Sequence, residues 1–140
     1  MDNTFDFQVM IKTATGRYWR DSADAERSSL LAAFRKSSIA SYVAQFSSFS
    51  DESFSTGTTR DGPAGTRIVE TLLVTASRSV KFVYVLRQRE QTWWIIDVLL
   101  DAGISQLAVR TAEFGRTLKD GGVQKLTKAL SDQAERLIRG

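Results

Sequence analysis

Residues 93–100, WWIIDVLL, constrain this chain more than any other stretch. Seven of the eight are apolar and Asp97 is the exception. The run is too short to span a bilayer. Its length and its β-branched and aromatic content read as a strand buried on both faces. An antiparallel sheet usually covers one face with a core and wets the other. A strand apolar on both faces therefore needs a cover on each.

The two preceding segments share the property. Residues 66–75, TRIVETLLVT, alternate Ile68, Leu72 and Val74 against Val69 and Leu73. Residues 80–87, VKFVYVLR, set Phe82, Tyr84 and Leu86 against Val83 and Val85. Only 76–79 and 88–91 separate the three runs, and connections this short imply an antiparallel meander. Residues 52–59 are rich in Ser and Thr around Phe54 and read as a short edge strand. The turn at 60–65 holds the single proline, Pro63.

Helical periodicity flanks the strands. Asp6 can cap a first helix over residues 5–19, with Phe7, Met10, Ile11, Ala14 and Tyr18 at helical spacing and Gly16 loosening its last turn. After the break at 21–24, with Ser22 as the N-cap candidate, a second helix is expected over 25–46. Its stripe is Leu31, Phe34, Ser38, Tyr42 and Phe46, more often core than ligand lining. Two helices close the chain. Ile104, Leu107, Ala108, Thr111 and Leu118 mark the first, over 105–119, and Gly121-Gly122 stop it. Val123, Leu126, Leu130, Ala134 and Leu137 mark the second. The order predicts an α+β fold: a curved antiparallel sheet of about four strands, with two N-terminal and two C-terminal helices. At 140 residues the expectation is one domain, 1–140.

Composition removes several chemistries. The chain has no Cys and no His, so it lacks disulfides, thiol nucleophiles, a Ser-His-Asp triad and the common zinc sites. Net charge is +3, and the nineteen basic residues form no run that would track nucleic-acid phosphates. No acidic spacing fits a calcium loop, and Gly121-Gly122 is followed by no Lys-Ser/Thr, so no phosphate loop is present. No cofactor is expected. Asp97, on a strand with Trp93, Ile95 and Leu99 on its expected face, and Asp101 just past the strand are the candidate general bases, although Asp101 ahead of Gly103 reads as a turn or cap residue. A structural role for Asp97, as an ion pair with Arg110, is the weightier reading. The residues alone leave two uses for the sheet: sandwiched by helices, or walling an apolar cavity.

A resemblance favours the cavity. Trp94-Ile95-Ile96-Asp97-Val98, then Asp101-Ala102-Gly103-Ile104-Ser105, Arg110, Glu113-Phe114 and Gly121-Gly122 resemble the MlaC/toluene-tolerance auxiliary family of periplasmic lipid-binding proteins. ISQLAVRTAEF and FSSFSDESF are most similar to its hopanoid-associated HpnM branch. The first half, from Phe5-Asp6-Phe7 to Gly16-Arg17-Tyr18-Trp19 and Leu31 to Phe34, is similar to the family's helical start. The resemblance implies helices and sheet enclosing an apolar pocket, phospholipid or hopanoid tails as ligand, transient contact with membrane-bound components of an ABC transport system, and no enzymatic step. It also implies periplasmic location, an export signal and one or more helices ahead of Phe5, whereas the N-terminal residues alone carry no such signal. Phe34, Tyr42, Phe46, Leu72, Val74, Phe82, Tyr84, Trp94, Ile96 and Val98 are the pocket candidates, in a carrier expected to be monomeric. The alternatives are a cone-shaped α+β roll enzyme with an Asp base acting on a steroid-like substrate, and a protein-interaction module.

Overall fold

The computed structural model of the chain describes residues 4–46, 53–74, 79–100 and 103–139. The chain forms two compact units, Met1–Asp6 with Phe49–Val109, and Phe7–Ser48 with Arg110–Gly140. The first is a sheet and the second is helical.

The sheet unit is a five-stranded antiparallel meander, β1 (Ser53–Asp61), β2 (Thr66–Val74), β3 (Ser79–Arg89), β4 (Thr92–Leu100) and β5 (Ile104–Ser105), in sequence order across the sheet. The α+β expectation holds, with one strand more than the four expected. β5 is a two-residue strand paired with Leu99 and Leu100. A 3-10 turn, Pro63–Gly65, joins β1 to β2 at the expected place. β3 and β4 meet in a two-residue turn, Glu90-Gln91, with φ of 51° and 68°. Positive φ at both positions gives the turn a twist that matches right-handed strands. The connections at 47–52, 75–78 and 101–102, and with them Asp101, lie outside the described residues.

The far edge of β4 is covered in two places. β5 takes one end, and Thr4–Asp6 runs parallel to Ile95 near the other. The Ile95 amide donates to the Thr4 carbonyl at 2.8 Å and the Asp6 amide to the Ile95 carbonyl at 2.9 Å. Phe5 is thus strand-like, and the first helix begins two residues later than its periodicity suggests.

The helical unit holds α1 (Phe7–Thr15), α2 (Arg17–Arg20), α3 (Asp24–Phe46) and most of α4 (Gln106–Arg139). α1 buries Phe7, Ile11, Ala14 and Thr15, an i, i+4, i+7, i+8 stripe. Gly16, at φ 55°, ends it. Ser22 does not cap α3. Its hydroxyl donates back to the Tyr18 carbonyl at 2.6 Å, and Glu26 reaches the Ala23 amide at 3.1 Å instead. The buried stripe of α3 is Leu30, Ala33, Phe34 and Ser37, one residue offset from Leu31 and Ser38. Ser37 tolerates burial because its hydroxyl donates to Gln133 Oε1 of α4 at 2.8 Å.

α4 is two helical arms joined at Gly122, whose φ of 72° and ψ of −166° are non-helical. That backbone region is essentially confined to glycine, which is why the chain breaks where the sequence places Gly121-Gly122. The first arm buries Phe114 and Leu118, whereas Thr111 is exposed and Ile104 sits in β5, 53% exposed. The second arm buries Val123, Leu126, Leu130 and Ala134 as its spacing predicts.

Candidate functional site

The sheet's two faces follow from its register. Directly opposed residues share a face, so the pairs Val69–Tyr84 and Tyr84–Val98 define one face and Ile68–Val85 and Val85–Asp97 the other. Within β4 the alternation fails once. Val85 pairs with Asp97 but Leu86 pairs with Ile95, so Ile96 is the extra residue of a β-bulge. The bulge exchanges faces along the strand. Trp93, Ile95 and Val98 lie on the first face, while Trp94, Asp97 and Leu99 lie on the second. Asp97 therefore does not share a face with Trp93 and Ile95, as unbroken alternation would require. Ring contacts agree with this partition. The Arg67 guanidinium lies 4.4 Å from the Trp93 ring centre on the first face, and that of Arg89 lies 4.8 Å from the Trp94 ring centre on the second.

The first face is the more buried. Leu73, Phe82, Ile95 and Val98 are buried, with Val69, Tyr84, Leu86 and Trp93 half-buried around them. The second carries buried Val83 and half-buried Ile68, Val74, Val85 and Leu99, with Leu72 37% exposed. It also holds a charged cluster. Glu70 accepts from Lys81 Nζ at 3.0 Å and from the Thr58 hydroxyl at 2.9 Å, with Arg60 at 3.4 Å. The bond and the charge of Lys81, with help from Thr58 and Arg60, hold the Glu70 carboxyl below the usual range.

The ten pocket candidates are distributed accordingly. Phe82, Tyr84 and Val98 share the first face, Leu72, Val74 and Trp94 the second, and Ile96 is the bulge residue. Phe34, 2% exposed, is packed edge-on against Phe7 and Phe114, each with its ring centre 6.1 Å away, in the core of the helical unit. Tyr42 and Phe46 lie in α3, and their side chains fall outside the described residues.

Asp97 has a structural role that differs from the expected pair with Arg110. Its Oδ2 accepts from the Ser105 hydroxyl, and its Oδ1 accepts from the Leu107 amide at 3.0 Å and the Val98 amide at 2.7 Å. Ser105 Oγ in turn accepts from the Ala108 amide at 3.0 Å. Ser105 is the N-cap of α4, and Asp97 adds a carboxylate at the same helix start, satisfying two of the amides that a helix leaves open. Ser105 was legible as a cap from its residue type just ahead of the periodic run; the partnership with Asp97 was not.

Two groups stand out beyond the sequence reading. Asp6, 6% exposed, pairs with Arg89 at 3.3 Å. The Trp94 Nε1 is shielded from solvent and is the one buried side-chain polar atom among the described residues with no hydrogen-bond partner. A buried donor left unmade costs about 1–3 kcal/mol. Within the helical unit, a cleft of about 310 Å³ is lined by Ala25, Glu26 and Ser29 of α3 and Val123, Gln124 and Thr127 of α4. Four of these six side chains are polar. No group of three or more potential metal-ligating residues forms among the described residues, and none of their helices is long and apolar enough to cross a membrane.

A family model described as MlaC protein matches residues 1–132. No curated protein matches the chain. Among solved structures, the phospholipid-binding protein from Ralstonia solanacearum, in complex with a phospholipid, superposes with a TM-score of 0.85 over 99% of this chain and 78% of that chain. The two are 17% identical, so this likeness establishes the fold.

Proposed function

This chain belongs to the MlaC protein family, and on that premise we propose that it is a carrier of membrane lipid. The carrying observation is the sheet, whose three long strands place large apolar side chains on both faces. A domain of this size has no need of a second apolar face for its own core, and a face matched to acyl or polycyclic tails makes use of it. Burial of such tails stabilises the complex by roughly 25 cal/mol per Å². Residues 1–140 act as one lipid-binding domain in this reading, and the pocket wall is drawn from the ten candidates. The phospholipid in the Ralstonia solanacearum structure supports it.

The cargo is a phospholipid or, following the HpnM-like wording of 104–114, a hopanoid. The carrier works in the periplasm as a monomer and exchanges cargo with the membrane-bound components of an ABC transporter. Charge supports that contact. The helical unit holds thirteen Lys and Arg against seven Asp and Glu, a balance suited to acidic surfaces. No catalytic step is part of this reading. Both Asp97 oxygens accept hydrogen bonds at the start of α4, which supports a structural role for Asp97 over that of a base.

Native mass spectrometry of the protein purified from a Gram-negative host tests the proposal. A co-purifying lipid released on denaturation is expected. No bound lipid, together with no rise in Tm on adding phospholipid or hopanoid, refutes it.

A further inference from the structure

We propose that the Trp94 indole N–H donates a hydrogen bond to an ester carbonyl of a bound diacyl phospholipid, an inference that rests on the lipid-carrier reading. Trp94 Nε1 is buried and unpartnered in a unit whose other buried side-chain polar atoms are all satisfied, among the described residues. Indole is a donor only, so the missing group is an acceptor. No acceptor among the described residues lies within hydrogen-bond reach of it. Trp94 sits opposite Arg87 in the register and under the guanidinium of Arg89, and both are donor-only groups. Arg89 is in turn paired with the Asp6 carboxylate at 3.3 Å. A cation over the ring also withdraws π density, which makes the N–H a stronger donor.

Burial selects the acceptor. An ionised phosphate held at a water-excluded neutral donor would lose more hydration than one neutral hydrogen bond returns. An ester carbonyl is neutral and lies where tail meets head group, so it can follow the tails out of water. Trp94 is thereby a specificity residue. It favours glycerolipids with ester-linked chains over hopanoids and dialkyl ethers, which lack that carbonyl. Trp93, stacked with Arg67 on the opposite face, has no such unmet donor and serves as the control.

The three tryptophans give three indole N–H resonances in ¹⁵N-labelled protein, assigned with Trp93→Phe and Trp94→Phe. The delipidated protein is titrated with a short-chain diacyl phosphatidylethanolamine, with its dialkyl ether analogue and with inorganic phosphate. The Trp94 resonance is expected to move downfield with the diester, less with the diether and not with phosphate. Replacing Trp94 by 3-benzothienylalanine, which keeps the ring shape and removes the N–H, is expected to weaken diester binding about five- to tenfold. Diether affinity stays unchanged, and the Tm of the lipid-free protein rises because the unmet donor is gone. A Trp94 resonance that ignores a bound diester overturns the inference and leaves the carrier reading standing. Equal loss for diester and diether assigns Trp94 to packing, and a shift with inorganic phosphate assigns the acceptor to the head group; either overturns it. If neither lipid binds by mass spectrometry, the carrier reading fails and this inference fails with it.

Discussion

Removing the Asp97 carboxylate tests how the sheet strand and the last helix are joined. Asp97→Ala deletes the local bond from the Val98 amide and the two that reach the helix start, from the Ser105 hydroxyl and the Leu107 amide, all to a charged acceptor. Bonds of that kind contribute about 1.5–3 kcal/mol each, and cap truncations measured alone cost about 0.5–2. Ser105 still caps the Ala108 amide in the variant, so the losses do not add in full. The expected cost is about 2–4 kcal/mol. With a urea m-value of about 1.5 kcal/mol/M, the midpoint falls by about 1.3 to 2.7 M, followed by circular dichroism and tryptophan fluorescence. Asp97→Asn keeps an acceptor and loses the charge at the helix start, so it costs about 1 kcal/mol. Ser105→Ala also costs about 1 kcal/mol, and the Asp97→Ala, Ser105→Ala double variant loses less than the sum of the two. A loss under 0.5 kcal/mol for Asp97→Ala refutes the capping role. An equal loss on Arg110→Ala would point back to the ion pair that the sequence alone suggested.

Four further outcomes are expected. Gly122→Ala forces a side chain into φ 72°, ψ −166°, and costs about 1–3 kcal/mol by urea denaturation. Gly121→Ala brings its new Cβ to 2.6 Å from the Lys125 Cβ, which is fixed to the backbone, so it also costs about 1–3 kcal/mol. Replacing Glu90-Gln91 with Asn-Gly relieves two positive-φ side chains in the β3–β4 turn and raises stability by about 1 kcal/mol, read as a higher Tm. The Glu70 carboxyl, lowered chiefly by its bond to Lys81, titrates below an ordinary glutamate in ¹³C NMR, and Lys81→Met moves it up. A folded pKa below the unfolded one means this contribution is present above the unfolded value and lost as pH falls through the folded one, so Lys81→Met flattens the acid side of the stability profile.

The comparison with the sequence turns on local and non-local information. The meander was legible because short connections and period-2 runs are local, and the helix break was legible because Gly121-Gly122 has one backbone consequence wherever it occurs. The offset stripe of α3 was not. Ser37 is buried by a bond to Gln133, 96 positions away, and no periodicity within 25–46 contains that partner. Phe34 was read as a pocket candidate from its size and spacing, while its setting between Phe7 and Phe114 joins three separate helices.

The opening strand shows where the division falls. By itself the sequence determined that residues 93–100 form a strand with large apolar groups on both faces, since length and side-chain type suffice for that. Only the tertiary structure decided which group faces which way. A bulge is a property of two strands in register, and one extra residue, Ile96, carried Asp97 and Trp94 to the same face and Val98 to the other. The same pairing put Asp97 within reach of the start of α4 and left the Trp94 N–H without an acceptor. Partners distant in the chain fix hydrogen bonding, and the identity of a residue fixes only what it is able to donate or accept.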